Sequence, residues 1–289
     1  MSHAFERTVD YLYFLQGTSI VYSGIDTVTA DLIESRATIM ASVPRFFEKV
    51  KATTENNLQE EGFLRKMLFN WAVNVGRKKI ESNTIQAQNG FMLNMLTGVA
   101  DRMVLSKVLR RTGGNLRYFI SGGAPLSVEV GRFFYALGLK ILEGYGLSET
   151  SPVISVNPPQ RPKLGTVGNS LPGVHVQIAE DGEVLTRGPN VMVGYYKMSK
   201  ETEEAIVDGW FHTGDIGNVD EEGYLSIKDR KKQLIVTSVG KKVAPQVIEK
   251  QVEGSKYIEQ VVLIGEKRNF ISAVIVPNFE ALKSYLGHI

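Results

Sequence analysis

Two glycine-rich turns, each directly after a predicted strand, constrain the fold of this chain more than any other feature. Apolar residues over 116–120 predict a buried strand that ends at Ser121-Gly122-Gly123, and those over 140–143 predict a second strand that ends at Gly144-Tyr145-Gly146. Helical periodicity over 127–137 separates the two strands. A strand, a helix and a strand over so short a span predict a parallel crossover unit. The chain is therefore predicted to be α/β, with both turns at the sheet edge where open α/β folds bind ligands.

Helices are predicted ahead of this unit. Periodic apolar residues cover 58–80 and 91–111, and Pro44 suits the first turn of a helix that runs through residue 50. The apolar run over 11–22 is predicted to be buried where a helix leads into a strand.

Short strands and turns are predicted after residue 157. Asp181-Gly182 predicts a hairpin between strands at 174–178 and 183–186. A second hairpin is predicted over 216–227.

A smaller α/β unit is predicted at the end of the chain. The change of pattern places a domain boundary at residues 228–230 and divides the chain into 1–228 and 229–289. The predicted elements of the smaller unit are a helix at 245–252 and strands at 234–237, 261–264 and 273–276.

The composition excludes several classes of protein. The chain has 289 residues, 43% of them hydrophobic, which is enough to bury a substantial core. Lys and Arg number 33 against 31 Asp and Glu, so the overall electrostatic field of the chain does not predict nucleic acid as a partner. Without cysteine there is no disulfide or thiolate metal site, and the four histidines lack the spacing of paired ligands. The sequence shows neither a spanning apolar segment nor a signal peptide, and we expect a cytoplasmic protein.

The string at residues 143–150, Glu-Gly-Tyr-Gly-Leu-Ser-Glu-Thr, combines three kinds of binding group. Its glycines allow close approach to the backbone. Tyr145 offers a ring for stacking, and Ser148, Glu149 and Thr150 add oxygen ligands.

Two further strings complement it. His212-Thr213-Gly214-Asp215 places a carboxylate behind a glycine turn, where it can accept hydrogen bonds from a diol. Asp229-Arg230-Lys231-Lys232 clusters positive charge after a predicted strand. Together the three strings indicate a nucleotide site assembled from segments far apart in sequence.

In this order and spacing, the strings resemble the AMP-forming acyl-activating superfamily, which includes acyl-CoA synthetases, luciferases and the adenylation domains of peptide synthetases. Ser121-Gly122-Gly123-Ala124-Pro125-Leu126 precedes the first string at the family's usual distance. Four further segments look like the bacterial long-chain fatty acyl-CoA synthetases: SHAFER at 2–7, VPRFFEK at 43–49, SPVISVN at 151–157 and VPNF at 276–279.

The resemblance implies a fold for both parts of the chain. Residues 1–228 would be the C-terminal portion of the large, multi-layer N-terminal domain of an acyl-CoA synthetase. Residues 229–289 would be the hinge and the first part of its small α/β C-terminal domain.

The resemblance also implies which residues contact the nucleoside. Tyr145 would stack on the adenine, Asp215 would accept both ribose hydroxyls, and Arg230 would make a second ribose contact. The other nucleotide-binding residues that it implies are Gly123, Ala124, Glu143, Gly144, Gly146 and Thr150.

The catalytic residues implied in the same way surround the phosphates and the acyl group. Glu149 matches the magnesium ligand, Ser148 would place its hydroxyl at the α-phosphate, and Lys232 would lie near the phosphates. His3, implied as a substrate-contacting residue, matches a histidine near the acyl pocket, with a plain capping or surface histidine as the alternative.

The transfer step to CoA is implied by residues near the end of the chain. Asp229 matches the residue about which the family's C-terminal domain rotates between two half-reactions. Gly240 and Lys241 fall in the segment that borders the pantetheine tunnel. The family often has Gly-Gly where this chain has Val239-Gly240, and a β-branched residue there narrows the backbone freedom.

The function implied is ATP-dependent activation of a long-chain fatty acid to an acyl-adenylate and transfer to CoA, with ATP, Mg²⁺ and CoA required. Two alternatives stay open: a truncated, non-catalytic remnant that binds nucleotide or acyl chain, and an adenylating enzyme that acts on a carrier-protein thiol. Peripheral association with the inner face of a membrane, the acyl length and the oligomeric state also stay open.

The family's phosphate loop lies upstream of the segment that matches Met1, and its adenylation lysine lies downstream of Ile289. The chain therefore resembles an interior part of a synthetase. We expect the 289 residues alone to form no acyl-CoA at a measurable steady rate, because both sources of charge stabilisation would be missing.

Overall fold

The computed structural model describes residues 3–24, 26–84, 91–100, 104, 106–231, 234–238 and 240–286. The chain divides into two compact units, Met1–Asn169 and Ser170–Ile289, which are treated separately below.

The first unit combines helices with the strands of one sheet. Its helices are α1 (Ala4–Leu15), α2 (Val28–Ser35), α3 (Pro44–Glu60), α4 (Phe63–Thr84), α5 (Phe91–Ala100), α6 (Ser106–Arg111) and α7 (Val128–Ala136). Its strands are β1 (Ile39–Ser42), β2 (Tyr118–Ser121), β3 (Lys140–Gly146) and β4 (Val153–Val156), and β5 (Asn169–Ser170) falls where the units divide.

The sheet follows the strand order β1-β2-β3-β4-β5. β1, β2 and β3 are parallel, with α7 crossing from β2 to β3, so the predicted crossover unit is confirmed. Their ends align in register, with Ser42 opposite Ser121 and Ser121 opposite Glu143. This alignment brings the first glycine-rich turn and the start of the second to one edge of the sheet.

An aromatic cluster fixes α3 and α7 against this sheet. Phe47 is fully buried, and its ring centroid lies 5.2 Å from that of Phe119 and 5.6 Å from that of Phe134, edge to face. Such pairs contribute about 0.5–1.5 kcal/mol beyond their burial. Pro44 begins α3 as predicted, because its missing N–H would have no helical partner at that position.

Two predictions about the helical region are wrong. The periodic stretch predicted from residue 58 belongs to two helices, because α3 continues to Glu60 and α4 begins only at Phe63. The apolar run over 11–22 leads into no strand and is largely exposed, with Leu15 80% exposed. Among the described residues no layer covers this run. Apolar patterning identifies a surface that favours burial but not what covers it.

The second unit contains an antiparallel sheet followed by smaller strand pairs. Its strands are β6 (His175–Ile178), β7 (Glu183–Arg187), β8 (Ile206–Val207), β9 (Trp210–Val219), β10 (Leu225–Arg230), β11 (Ile235–Val236), β12 (Lys242–Val243), β13 (Ile258–Ile264) and β14 (Ser272–Pro277). Its helices are α8 (Ser199–Ala205), α9 (Pro245–Glu253) and α10 (Phe279–Leu286).

The main sheet of this unit has the order β10-β9-β7-β6, and β8 pairs with β9. Both predicted hairpins are confirmed, one joining β6 to β7 through Asp181-Gly182 and the other joining β9 to β10. The strands and the helix predicted after residue 229 are also present. No helix in the described part of the chain is both long and apolar enough to cross a lipid bilayer.

Candidate functional site

The loop after β2 lies beside the start of α1. The Nδ1 atom of His3 accepts a hydrogen bond from the backbone N–H of Phe5 at 3.2 Å, which makes His3 the N-cap of the helix. Its Cε1 atom is also 3.9 Å from where a Cβ would sit at Gly123, whose φ of +84° favours glycine. His3 therefore caps α1 and borders the loop that holds Gly123 and Ala124, both exposed. Its contact with an acyl group stays a prediction.

β2 ends at a serine whose hydroxyl is buried. The side-chain oxygen of Ser121 is buried and has no hydrogen-bond partner among the described residues. A buried polar atom without a partner is costly.

β3 continues through Gly144-Tyr145-Gly146 rather than ending at Glu143 as predicted. This extension pairs antiparallel with β4, with Tyr145 opposite Ser155 and a register shift between Tyr145 and Gly146. A Cβ at Gly146 would lie 1.7 Å from the carbonyl oxygen of Pro152. The second glycine of this string is therefore required by the close approach of two backbone segments.

Residues 148–150 form a single 3-10 turn after this strand. Thr150 is fully buried, and its hydroxyl accepts a hydrogen bond from the backbone N–H of Leu147 at 3.0 Å. The same hydroxyl faces the carbonyl oxygens of Leu147 and Pro152 as a donor. Thr150 thus holds the turn that presents Ser148, which is exposed, and Glu149, which is half-buried. The direct nucleotide contact of Thr150 stays a prediction.

Glu149 offers the kind of oxygen ligand that magnesium binds, and its role as a magnesium ligand stays a prediction. Within the described residues, no three His, Asp or Glu side chains come together as a metal site. Magnesium is commonly held by one or two carboxylates together with phosphate oxygens and water. A single carboxylate beside the Ser148 hydroxyl is consistent with that arrangement.

Glu143 lies next to Ser121 in the register of the parallel strands. Burial raises the pKa of its carboxyl to about 7, although a hydrogen bond from the backbone of Leu126 acts in the opposite direction. The carboxyl therefore changes protonation near neutral pH, at the edge of the sheet where the nucleotide is predicted to bind.

We expect Glu143→Gln to remove a pH-dependent loss of stability. The pKa of about 7 in the folded chain exceeds the ordinary value of 4.5, so the folded state binds this proton more tightly than the unfolded state. The free energy of unfolding should therefore fall as pH rises from 4.5 to about 7. The difference of about 2.5 between the two pKa values corresponds to about 3 kcal/mol at most.

Urea unfolding of both proteins from about pH 4 to about pH 8 measures this effect. Relative to Glu143→Gln, the wild-type chain should lose up to about 3 kcal/mol across that range. Parallel stability curves for the two proteins would contradict the assignment.

The two residues predicted to contact the ribose meet in the second unit. Asp215 on β9 lies opposite Arg230 on β10, and the Arg230 Nε atom is 3.5 Å from the Asp215 Oδ1 atom. Asp215 is 5% exposed, whereas the Arg230 side chain is 64% exposed. The backbone N–H of Asp215 donates to the Thr213 hydroxyl at 3.1 Å. The structure thus assembles an anchored carboxylate with a cation beside it, and their contact with a ribose stays a prediction.

Asp229, the predicted hinge residue, lies at a bulge where the register of β10 shifts after Ile227. It is 2% exposed and accepts hydrogen bonds from the backbone N–H groups of Arg230, at 2.7 Å, and Gln246. Burial raises the pKa of Asp229, and these two hydrogen bonds oppose the rise. Its carboxylate therefore connects the end of β10 to the first turn of α9. Rotation about Asp229 stays a prediction.

Gly240 and Lys241 lie in the tight turn between β11 and β12. The backbone N–H of Gly240 donates to the Thr237 carbonyl at 2.9 Å, and that of Lys241 donates to the Thr237 hydroxyl at 3.1 Å. Both residues are exposed, and their contact with CoA stays a prediction. Lys232 and Val239 lie outside the described residues.

Glu183, which the sequence analysis did not select, meets Lys231, which it named only within the basic string at 229–232, beside Gly214 on β9. Glu183 is 4% exposed and accepts a hydrogen bond from the backbone N–H of Gly214 at 2.9 Å. The Lys231 ammonium lies 2.9 Å from the same carboxylate. A glutamate that begins the predicted strand at 183–186, whose other residues are uncharged, was the signal that could have identified this position.

The chain belongs to the AMP-binding enzyme family. The model of that family, described as AMP-binding enzyme, matches residues 1–196, and a model described as AMP-binding enzyme C-terminal domain matches residues 232–285. The predicted domain boundary at 228–229 falls between the two matches and stays a prediction.

Curated relatives of this chain include fatty-acid ligases. It is 40% identical over 286 residues to the long-chain-fatty-acid–CoA ligase FadD15 of Mycobacterium bovis, covering 99% of this chain and 47% of that protein. It is 32% identical over 303 residues to fatty acyl-CoA synthetase B of Dictyostelium discoideum, covering 99% of this chain and 44% of that protein. The chain thus spans about half the length of the curated relatives that it matches.

Solved structures share the fold. ATP-bound MatB from Rhodopseudomonas palustris aligns with a TM-score of 0.62 and 27% identity, covering 91% of this chain and 44% of that one. The o-succinylbenzoate-CoA synthetase MenE of Bacillus subtilis, in complex with its acyl-adenylate intermediate, aligns with a TM-score of 0.69 and 18% identity. The latter alignment covers 99% of this chain and 52% of MenE. The predicted α/β fold of an adenylate-forming enzyme is confirmed.

Proposed function

We propose that this chain is part of an enzyme that activates a long-chain fatty acid with ATP and transfers the acyl group from the adenylate to CoA. The observation that carries the proposal is the pairing of Asp215, within β9, with Arg230 at the end of β10, where Nε and Oδ1 are 3.5 Å apart. A buried, anchored carboxylate beside an exposed guanidinium suits a ribose diol and the anionic groups next to it. The names of the curated relatives support the fatty acid and CoA as substrates.

The first half-reaction is attack of the fatty-acid carboxylate on the α-phosphorus of ATP, with pyrophosphate leaving. The protein must hold two anions together and neutralise the charge that spreads over the phosphate oxygens. Asp215 and Arg230 would hold the ribose, Tyr145 would stack on the adenine, and Ser148 would donate to the α-phosphate. Glu149 would hold magnesium, which supplies positive charge to the phosphates when bound.

The second half-reaction moves the acyl group to the thiol of CoA. Gly240 and Lys241, in an exposed turn, would border the pantetheine, and His3 would border the acyl group. Rotation about Asp229 would exchange the groups that line the site. This step separates the proposal from an adenylating enzyme that delivers its acyl group to a carrier-protein thiol.

A graft tests the proposal directly. In what we call the graft enzyme, this chain replaces the matching 286-residue segment of the Mycobacterium bovis ligase. We expect the graft enzyme to form palmitoyl-CoA and AMP in equal amounts from palmitate, ATP and CoA. Glu149→Ala should lower its kcat roughly a hundredfold or more, because a magnesium ligand acts on charge that develops in the transition state.

The matched control is Glu201→Ala, which removes an exposed glutamate on α8. It should leave the rate within about twofold of the unmodified graft enzyme, as for most exposed positions. A graft enzyme that is folded by circular dichroism but forms no palmitoyl-adenylate would contradict the proposal. Adenylate formation without transfer to CoA would favour the carrier-protein alternative.

A further inference from the structure

A buried carboxylate next to Gly214 on β9 is the centre of a polar cluster. The Glu183 Oε1 atom accepts the backbone N–H of Gly214 at 2.9 Å, and its Oε2 atom lies 3.1 Å from His212 Nδ1. Lys231 Nζ lies 2.9 Å from the same Oε2 and 2.6 Å from Asp181 Oδ2. We call these five residues the Glu183 cluster.

The charged groups within the Glu183 cluster stabilise one another in their ionised forms. Burial alone would raise the pKa of Glu183, but hydrogen bonds from Lys231, His212 and Gly214 outweigh it and hold the pKa below its ordinary value. Hydrogen bonds to Asp181 and Glu183 raise the pKa of Lys231. Glu183 and Lys231 are therefore both charged at neutral pH. Removing Lys231 is costly, because the Glu183 charge, whose side chain is 5% exposed, stays buried with less compensation.

The Glu183 cluster includes a sequence neighbour of each member of the Asp215–Arg230 pair. Gly214, whose N–H Glu183 accepts, directly precedes Asp215. Lys231, which pairs with Glu183, directly follows Arg230. One carboxylate thus ties the part of β9 that carries the acidic member of the pair to the end of β10 that carries the basic member.

We propose that Glu183 and Lys231 are positioning residues that hold Asp215 and Arg230 at the separation needed to bind the ribose of a nucleotide. The inference rests on the proposed function, because it takes the Asp215–Arg230 pair as the ribose contact. Neither positioning residue touches the nucleotide. They act by fixing the Gly214 backbone and the register at the end of β10.

The first measurement is hydrogen exchange at the Gly214 amide in the 289-residue chain. Lys231→Met should speed this exchange roughly tenfold or more. Glu183 would keep its charge but would no longer be held in place as the acceptor of the Gly214 N–H. Lys231→Arg, which keeps the charge, should restore protection. Lys200→Met removes a lysine from an exposed ion pair with Glu204 on α8 and should leave Gly214 unchanged.

The Gly217 amide is the internal reference, because it donates to the Gly182 carbonyl at 3.0 Å in the same sheet. If Lys231→Met speeds exchange at Gly214 and Gly217 equally, the lysine has only a general structural role and the proposal is overturned. Unchanged exchange at Gly214 also overturns it. Should Lys231→Met not fold, Glu183→Gln keeps the side-chain shape while removing the charge, and the same outcomes apply.

The second measurement is the KM for ATP in the graft enzyme. Lys231→Met should raise it roughly tenfold with a smaller change in kcat, because nucleoside binding contributes to ground and transition states alike. Asp215→Ala distinguishes failure of the ribose assignment from failure of the positioning proposal. If Asp215→Ala leaves the KM for ATP unchanged, the ribose assignment fails, and exchange at Gly214 still decides whether Glu183 and Lys231 fix the backbone there. If Asp215→Ala raises it while Lys231→Met does not, the positioning proposal fails alone.

Discussion

Gly146→Ala is expected to destabilise the chain by about 4 kcal/mol or more, while Gly144→Ala changes its stability by less than about 1 kcal/mol. The two glycines flank Tyr145 in the same strand, yet their surroundings differ. A Cβ at Gly146 would lie 1.7 Å from the Pro152 carbonyl oxygen, so the backbone at one of these two positions would have to shift. A Cβ at Gly144 would lie 3.5 Å from its nearest neighbour, the Ser155 carbonyl oxygen, which is ordinary contact.

Urea unfolding followed by circular dichroism compares the two variants under identical conditions. The midpoint should fall sharply for Gly146→Ala and stay near wild type for Gly144→Ala, with no change in slope for the latter. Equal midpoints for both variants would show that β3 and β4 do not approach as closely as the structure indicates. The comparison also tests the site, because this approach shapes the turn that carries Ser148 and Glu149.

Asp215→Ala is expected to weaken AMP binding by the graft enzyme roughly ten- to hundredfold. A hydrogen bond to a charged group contributes about 1.5–3 kcal/mol, and the proposed diol contact uses at least one such bond. Asp215 is well placed for this role, because it is buried and its backbone is held by Thr213. Isothermal titration calorimetry measures the affinity, with Glu201→Ala as the variant that should bind AMP like the unmodified graft enzyme.

Short sequence patterns predicted the elements whose formation depends mainly on residues within the element itself. The hairpin at Asp181-Gly182 was predicted because that dipeptide favours the turn, and α3 was predicted from Pro44. The extension of β3 through Gly146 was missed because a glycine-rich string indicates a turn by composition. Only the antiparallel pairing with β4 makes that string a strand.

The Glu183–Lys231 pair could not be predicted from local sequence. The two residues are 48 positions apart, and their contact depends on how β7, β9 and β10 align. Asp215 and Arg230 were selected by resemblance, and the register of β9 and β10 then brought them together. Residue types can indicate which side chains bind a ligand, whereas the residues that hold them in place depend on strand register.

The central claim is that Asp215 accepts hydrogen bonds from a ribose diol, and a thermodynamic cycle tests it most directly. Calorimetry of the graft enzyme and of its Asp215→Ala variant would be carried out with AMP and with 2′,3′-dideoxy-AMP, which lacks both hydroxyls. If Asp215 binds the diol, the dideoxy compound should bind the unmodified graft enzyme roughly ten- to hundredfold more weakly than AMP. Asp215→Ala should then bind both compounds equally, giving a coupling energy of about 1.5–3 kcal/mol. An equal loss of affinity for the dideoxy compound in both proteins would mean that Asp215 and the ribose hydroxyls act independently, which would contradict the account.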